Sequence, residues 1–291
     1  MRALAEELLG RVDFELIAID NFCEKARGDG YERDKGPNAL RAAQEGNPWL
    51  KVLTYDERQS HWQAKNLGVR ESTGKFLLFV DAHVMPGRDS IYPMFEYFLA
   101  NHEALNGSLH LPVTYLILEW RKLIYRLDVD LELGKLEYSF DEAKPADRPY
   151  RVPAMSSCGM MITRETYDRL GGWPTILGSW GGGENFINFA LATMGKNVWV
   201  WHAEPLYHHG EKRGYSMDRM DIVTNRCAAV FVVGGLEMAK RYMKAVHWPN
   251  LAQADLMKER ILTRVRMECH DHRELIKAQQ TVSLEDWVTQ W

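Results

Sequence analysis

Short apolar runs alternate with amphipathic segments along the first third of the chain. The apolar runs predict buried strands at 14–19, 51–54 and 76–80, and helical spacing of apolar residues predicts helices at 2–9, 60–72 and 90–104. Strands that alternate with helices are usually joined by crossovers that place the strands parallel. The pattern therefore predicts an α/β fold of Rossmann-like type, with a mostly parallel central sheet flanked by helices.

The rest of the chain is less regular. Strands are predicted at 108–118, 155–163 and 197–201, and helices are predicted from Arg164 and over 184–194. Residues 24–47 are polar and glycine-rich, which predicts a loop, and the pattern is mainly helical from Thr224 onward. We therefore predict a main domain over residues 1–223 and a helical C-terminal extension over 224–291.

Composition and charge exclude several classes of protein. The 291 residues carry a formal net charge of −4, so the chain as a whole is not a binder of polyanions. Its four cysteines form no CxxC pair, which argues against a disulfide framework or a cysteine zinc site. No apolar run approaches the roughly 20 residues of a membrane span, and an acidic pair near the N-terminus does not suit a signal peptide. We expect a cytoplasmic protein with no membrane span.

Candidate metal ligands follow the strand predicted at 76–80, which ends on Asp81-Ala82-His83. Residues two apart on an extended segment point to the same side, so this carboxylate and imidazole could bind one divalent cation. Oxygen ligands suit Mg²⁺ or Mn²⁺, and a nitrogen ligand shifts the preference toward Mn²⁺. Asp20 also ends a predicted strand, and parallel sheets bind ligands at the carboxyl ends of their strands.

Three segments resemble a known family. They are AKNLGVRESTGKFLLFVDAHVMP (64–86), WGGGENFINFALATMG (180–195) and EPLYHHGEKRGYS (204–216). In this order they resemble glycosyltransferases of the GT-A fold (family 2-like), and they are most similar to the catalytic domain of the polypeptide N-acetylgalactosaminyltransferases. The resemblance runs from about Phe14 to Tyr215. It implies a metal-dependent hexosyltransferase that uses a nucleotide sugar, with Mn²⁺ (or Mg²⁺) as cofactor.

The resemblance also implies roles for individual residues. Asp81, His83 and His208 would hold the metal ion, with His209 as the rival for the third position. Glu184 and Asn185 would be the catalytic pair. The residues implied to bind the nucleotide sugar are Asp20, Lys65, Asp81, Trp180, Gly182, Gly183, Arg213 and Tyr215. One glycine more than in the family's motif separates Trp180 from Glu184, which leaves the register of these two side chains open.

The reaction implied is transfer from a UDP-sugar (GalNAc, GlcNAc, Glc or Gal) to a hydroxyl group, with retention. An inverting enzyme of this fold needs a carboxylate base where this chain has Asn185, and an amide cannot take up a proton. Glu184 would then position the sugar, although it could act as a base in another register.

The acceptor is left open between a protein Ser or Thr, a glycan and a hydroxylated base of DNA. The basic segment 258–273 and the cluster Arg121, Lys122 and Arg126 are the features that could bind DNA phosphates. A non-catalytic nucleotide-sugar-binding module and a nucleotide-sugar hydrolase are the rival functions.

The chain departs from the family's pattern at both ends. The family's usual first strand is not found before Met1, so either the natural start lies upstream or the nucleotide pocket is rebuilt. Residues 235–291 do not resemble the family's lectin module, because they have few cysteines and a helical pattern.

Overall fold

The computed structural model describes residues 1–21, 35–115, 121–202, 204–209, 218–247 and 251–291. Its strands are short, and most of them have three to five residues. They are β1 (Leu16–Asp20), β2 (Leu50–Thr54), β3 (Phe76–Phe79), β4 (Val84–Pro86), β5 (Gly107–His110), β6 (Val113–Tyr115), β7 (Leu123–Asp130), β8 (Lys135–Glu142), β9 (Tyr150–Val152), β10 (Met160–Thr163), β11 (Asn197–Val200) and β12 (Leu206–His208).

The described strands form three sheets, whose orders are β1-β2, β3-β10-β5-β11-β9 and β4-β12-β6-β7-β8. The prediction of a mostly parallel sheet is wrong, because the sheets are mixed. β10 runs antiparallel to both β3 and β5, whereas β11 runs parallel to β5. Strand–helix alternation holds only as far as β3, which is followed directly by β4. Later strands such as β7 and β8 follow each other through short turns, which produce antiparallel pairs.

The helices surround these sheets. They are α1 (Arg2–Leu8), α2 (Lys35–Glu45), α3 (His61–Arg70), α4 (Ile91–Leu105), α5 (Arg164–Leu170), α6 (Gly183–Thr193), α7 (Arg219–Ala245), α8 (Leu251–Glu268), α9 (His270–Lys277) and α10 (Leu284–Val288). The predicted C-terminal helical region is confirmed, and its first helix begins at Arg219. The predicted loop at 24–47 is wrong in part, because α2 occupies Lys35–Glu45.

Two apolar clusters lie on opposite faces of the β3-β10-β5-β11-β9 sheet. Leu77 and Phe79 of β3 belong to the larger cluster with α3, α5, α6 and α7, whereas Phe76 and Leu78 pack against the smaller cluster under α4. This division follows from the two-residue period of a strand. Because both faces are covered, the carboxyl end of β3 is the part of this strand that is open to a ligand.

The β1-β2 pair stands apart from the larger sheets. β1 runs parallel to β2, and no described strand pairing joins β1 to β3. A side chain connects them instead, since the Glu15 carboxylate accepts hydrogen bonds from the backbone N–H groups of Thr73 and Gly74. β1 and β3 therefore begin close together and both carry acidic residues at their far ends.

α7 is long and apolar, and it contains a kink at Gly235 (φ 81°, ψ −174°). By length and hydropathy α7 could cross a bilayer, but 67% of its most apolar window is buried within the protein. Such burial is typical of a core helix. Arg273 of α9 donates to the carbonyls of Val232 and Val233 just before the kink, where the helical hydrogen-bond ladder is interrupted.

Candidate active site

The turn between β3 and β4 brings together three side chains that could hold a metal ion. One ligand atom each from Asp81, His83 and His208 lies within 4.8 Å of the other two. Asp81 and His83 occupy this turn rather than the extended segment that their spacing predicted. His208 reaches them because β12 pairs antiparallel with β4, in a register that places His208 opposite Val84. His209 lies outside this group, and its backbone N–H donates to the His83 carbonyl at 3.0 Å.

Lys65 lies inside the same site. Its Nζ donates to Asp81 Oδ1 at 3.1 Å and to Ser157 Oγ at 3.2 Å. Burial opposes the charge on each partner, but their mutual attraction prevails: the pKa of Lys65 is raised and the pKa of Asp81 is held well below its usual range. The ammonium group also lies 5.3 Å from the centre of the Trp62 ring. Lys65 therefore fixes the orientation of the Asp81 carboxylate and keeps it ionised.

Glu184 is connected to this pair through Ser157, whose Oγ donates to Glu184 Oε1 at 3.2 Å. Tyr138 of β8 contacts the other carboxylate oxygen, with its hydroxyl 3.4 Å from Glu184 Oε2. Burial raises the pKa of Glu184, although Lys65 opposes this shift. Burial and the Glu184 charge raise the pKa of Tyr138 well above its usual value. A connected polar network thus runs from Asp81 to the first turn of α6.

Asn185 has a different environment from its neighbour Glu184. It is buried, and its Nδ2 donates to the Leu136 carbonyl of β8. The amide therefore joins α6 to the β7–β8 hairpin. Asn188, one turn later, bonds to both the N–H and the carbonyl of Met155 and so fixes the segment before Ser157. A catalytic role for Asn185 stays a prediction, since its described hydrogen bond is to backbone.

The glycines before α6 are required by close contacts within the protein. A Cβ on Gly183 would lie 2.3 Å from the Trp62 ring, and a Cβ on Gly182 would lie 2.3 Å from the Asn225 carbonyl oxygen. Gly182 also has a φ of +75°, which glycine adopts without strain. Both glycines were predicted to bind the nucleotide sugar. The contacts that the structure describes at these positions are to α3 and α7.

The loop that carries Trp180 is held by α7, which the sequence analysis did not connect with the site. Asn225 donates to the Trp180 carbonyl at 2.7 Å and accepts from the Gly178 N–H at 2.8 Å. Asp221 Oδ2 lies 3.4 Å from both the N and the Oγ of Ser179. The only sequence signal was the presence of polar residues on the inner face of an apolar helix.

The remaining predicted residues are distributed as follows. Asp20 ends β1, and its neighbour Asn21 fixes the start of α3 by accepting from the Ser60 N–H at 2.8 Å. Arg213 and Tyr215 lie outside the described residues. Ser157 and Tyr138 were missed by the sequence analysis, because 155–163 was interpreted as one strand and 119–150 had no clear pattern.

Comparison with known proteins assigns this architecture to a family. Residues 28–171, which include β3 and the Asp81 turn, match the family described as "Glycosyl transferase family 2". N-acetylgalactosaminyltransferase 6 of Drosophila melanogaster is 25% identical over 161 residues, which are 52% of this chain and 23% of that protein. Putative polypeptide N-acetylgalactosaminyltransferase 13 of the same organism is 26% identical over 137 residues, 46% of this chain and 25% of that protein.

A solved structure extends the likeness in fold. "Crystal structure of GalNAc-T7 with UDP, GalNAc and Mn2+" covers 88% of this chain and 50% of that one, with a TM-score of 0.60 and 16% identity. The match to the two Drosophila proteins spans about a quarter of their length. The predicted resemblance is confirmed: the chain contains a glycosyltransferase family 2 domain with a GT-A-like α/β fold, distantly similar to the polypeptide N-acetylgalactosaminyltransferases.

Proposed function

We propose that the protein transfers a sugar from a UDP-sugar to a hydroxyl acceptor, with Asp81, His83 and His208 as ligands of a divalent cation. The convergence of these three side chains carries the proposal. Membership of the family supports a nucleotide-sugar donor, and GalNAc-T7 was solved with UDP, GalNAc and Mn²⁺. The candidate sugars are GalNAc, GlcNAc, Glc and Gal.

The three side chains suit the ion. One carboxylate oxygen and two imidazole nitrogens favour Mn²⁺ over Mg²⁺, which prefers oxygen ligands alone. When bound, the cation would neutralise charge on the departing diphosphate. Lys65 would hold Asp81 ionised and in a fixed orientation, because its ammonium group bonds to Asp81 and to Ser157.

Glu184 would orient the sugar. Its carboxylate is fixed by Ser157 on one oxygen and approached by Tyr138 on the other, at the start of α6. A carboxylate at a helix N-terminus is stabilised by the helix dipole, and it can accept hydrogen bonds from sugar hydroxyls. Trp180, on the loop held by α7, would supply an apolar face to the donor sugar.

We infer retention of the anomeric configuration. Asn185 stands at the position of the base in inverting relatives of this fold, but an amide does not accept a proton, and its Nδ2 already bonds to the Leu136 carbonyl. Glu184 is the alternative base, and its raised pKa would suit that task. Determining the anomeric configuration of the product by NMR separates the two: an inverted product assigns Glu184 as the base.

A thermal-shift experiment with UDP- and GDP-sugars tests the donor site. We expect one UDP-sugar to raise the melting temperature in the presence of Mn²⁺ and not in the presence of EDTA. The shift should disappear in His208→Ala and remain in His209→Ala, a matched control one residue away. If no nucleotide sugar shifts the wild-type protein with Mn²⁺, or if His208→Ala retains the shift, the proposal is wrong.

A further inference from the structure

A row of aromatic rings begins at the metal-binding group and crosses the sheet that contains β12. The His208 ring lies 4.9 Å from the Tyr115 ring, and the Tyr115 ring lies 5.8 Å from the Phe140 ring. Phe140 in turn contacts Tyr125, which stacks on Tyr138 at 4.1 Å with an angle of 9° between the rings. We call Tyr115, Tyr125, Tyr138 and Phe140 the aromatic wall.

The wall joins the two ends of the candidate active site. It contacts His208 at one end, and Tyr138 approaches the Glu184 carboxylate at the other. Tyr125 is buried. Phe140, by contrast, is 48% exposed although two aromatic neighbours hold its ring. Phe140 is therefore a fixed apolar surface at the rim of the site, and a fixed ring loses little conformational freedom when it binds a ligand.

The charge of the β7–β8 hairpin argues against one class of acceptor. The β7–β8 hairpin, from Leu123 to Glu142, contains six acidic and two basic residues. Asp141 and Glu142, which follow Phe140 directly, are both exposed. The excess of carboxylates on this hairpin disfavours a nucleic acid as acceptor, because the affinity of nucleic acids for proteins depends on cations that neutralise phosphates. Lys122, one of the basic residues considered for DNA, forms an ion pair with Glu204 at 3.5 Å.

The edge of β8 is poorly suited to an extended peptide. A peptide that added to this edge would need free backbone groups on β8, but the Leu136 carbonyl already accepts a hydrogen bond from Asn185. The next residue, Glu137, is bound to Arg226 of α7 at 2.7 Å. Helices α6 and α7 thus contact β8 at Leu136 and Glu137, where a peptide added to this edge would have to lie.

We propose that Phe140 forms the acceptor subsite and that the acceptor is a neutral sugar, whose apolar C–H face packs on the Phe140 ring. Aromatic side chains bind large apolar surfaces. The exposed Glu142 carboxylate, two residues further along β8 and therefore on the same face as Phe140, can accept hydrogen bonds from sugar hydroxyls. This inference rests on the proposed glycosyltransferase activity and assigns the acceptor class to the same site.

Sugar binding can be tested without a donor sugar. Saturation-transfer NMR would be recorded with the methyl glycosides of glucose, galactose, mannose and N-acetylglucosamine, in the presence of UDP and diamagnetic Mg²⁺. We expect at least one glycoside to receive saturation through its ring protons. The signal should be lost in Phe140→Ala, retained in Phe140→Trp, and retained in Leu133→Ala. Leu133 is the matched control, because it is 50% exposed at the turn of the same hairpin.

Kinetics then test the role in transfer. With the UDP-sugar identified by thermal shift, Phe140→Ala should raise the KM for the sugar acceptor tenfold or more, whereas Leu133→Ala should leave this KM within twofold of wild type. Absence of saturation with all four glycosides, an equal signal in Phe140→Ala, or transfer to a Ser/Thr peptide or a DNA oligonucleotide instead of a sugar would overturn the inference. A failed donor shift would overturn the proposed function separately, since glycoside binding needs no donor sugar.

Discussion

The hydrogen bonds between α7 and the Trp180 loop lead to a quantitative prediction for Asn225→Ala. Asn225 is 1% exposed, and it bonds to the Gly178 N–H and to the Trp180 carbonyl. Leaving a buried donor or acceptor unsatisfied costs about 1–3 kcal/mol for each group. The substitution should therefore reduce the free energy of unfolding by about 2–6 kcal/mol if the loop keeps its conformation, and by less if the loop opens to water.

Urea denaturation, followed by tryptophan fluorescence, measures the global change in stability. Hydrogen exchange, followed by mass spectrometry, measures local opening of residues 174–183. Because each 1.4 kcal/mol is a factor of ten in an equilibrium constant, a loss of about 1–3 kcal/mol should speed exchange of the Gly178 amide by about fivefold or more. UDP affinity in the presence of Mn²⁺ should fall together with this protection.

Val232→Ala is the control within the same helix. Val232 is fully buried, so the substitution should cost about 2 kcal/mol through lost packing. Val232 lies away from the contacts with the Trp180 loop. Residues 174–183 of this variant should therefore exchange at the wild-type rate. The reasoning is refuted if the free energy of unfolding of Asn225→Ala lies within about 0.5 kcal/mol of the wild-type value and hydrogen exchange of the loop is unchanged. It is also refuted if Val232→Ala increases exchange of the loop as much as Asn225→Ala does.

Three further predictions concern packing and charge elsewhere in the fold. Gly183→Ala places a Cβ 2.3 Å from the Trp62 ring, and thermal or urea denaturation should show a loss of about 1–3 kcal/mol from overpacking; a neutral effect would contradict the described contact. Burial lowers the pKa of His110 to about 4 from 6.5. Its stabilising contribution is complete above pH 6.5 and should decline by about 3 kcal/mol as the pH falls toward 4, and a His110→Gln variant should lose this pH dependence. Arg273→Ala removes two hydrogen bonds to carbonyls beside the Gly235 kink and should destabilise the protein by about 1.5–3 kcal/mol. An unchanged midpoint of urea denaturation would show that these hydrogen bonds do not stabilise the kinked helix.

Local sequence patterns predicted much of the fold. The alternation in the first third of the chain predicted β1, β2, β3, α1, α3 and α4 close to where they lie. It could not predict the mixed sheets, because strand direction depends on how the chain returns to the sheet rather than on the composition of each strand. The segment predicted as one strand at 108–118 shows this limit, since it divides into β5 and β6, which belong to different sheets.

The candidate site shows the same division. Asp81, His83 and Glu184 could be selected from sequence because short motifs place them at the end of a strand and at the start of a helix. Their neighbours could not be selected so easily. Ser157 lies in a segment that was predicted as a buried strand, and Tyr138 lies in a segment without a clear pattern. Only packing brings these two side chains to Glu184.

The sequence alone therefore determined the family, the strand that ends in a carboxylate and an imidazole, and the glycine-rich segment before α6. These features depend on neighbouring residues, whose spacing is fixed by the geometry of a strand or a helix. Only the tertiary structure decided which histidine joins Asp81, which residues hold the Trp180 loop, and where an aromatic wall borders the site. Those contacts join distant parts of the chain, and they depend on sheet register and helix packing, which no local pattern encodes.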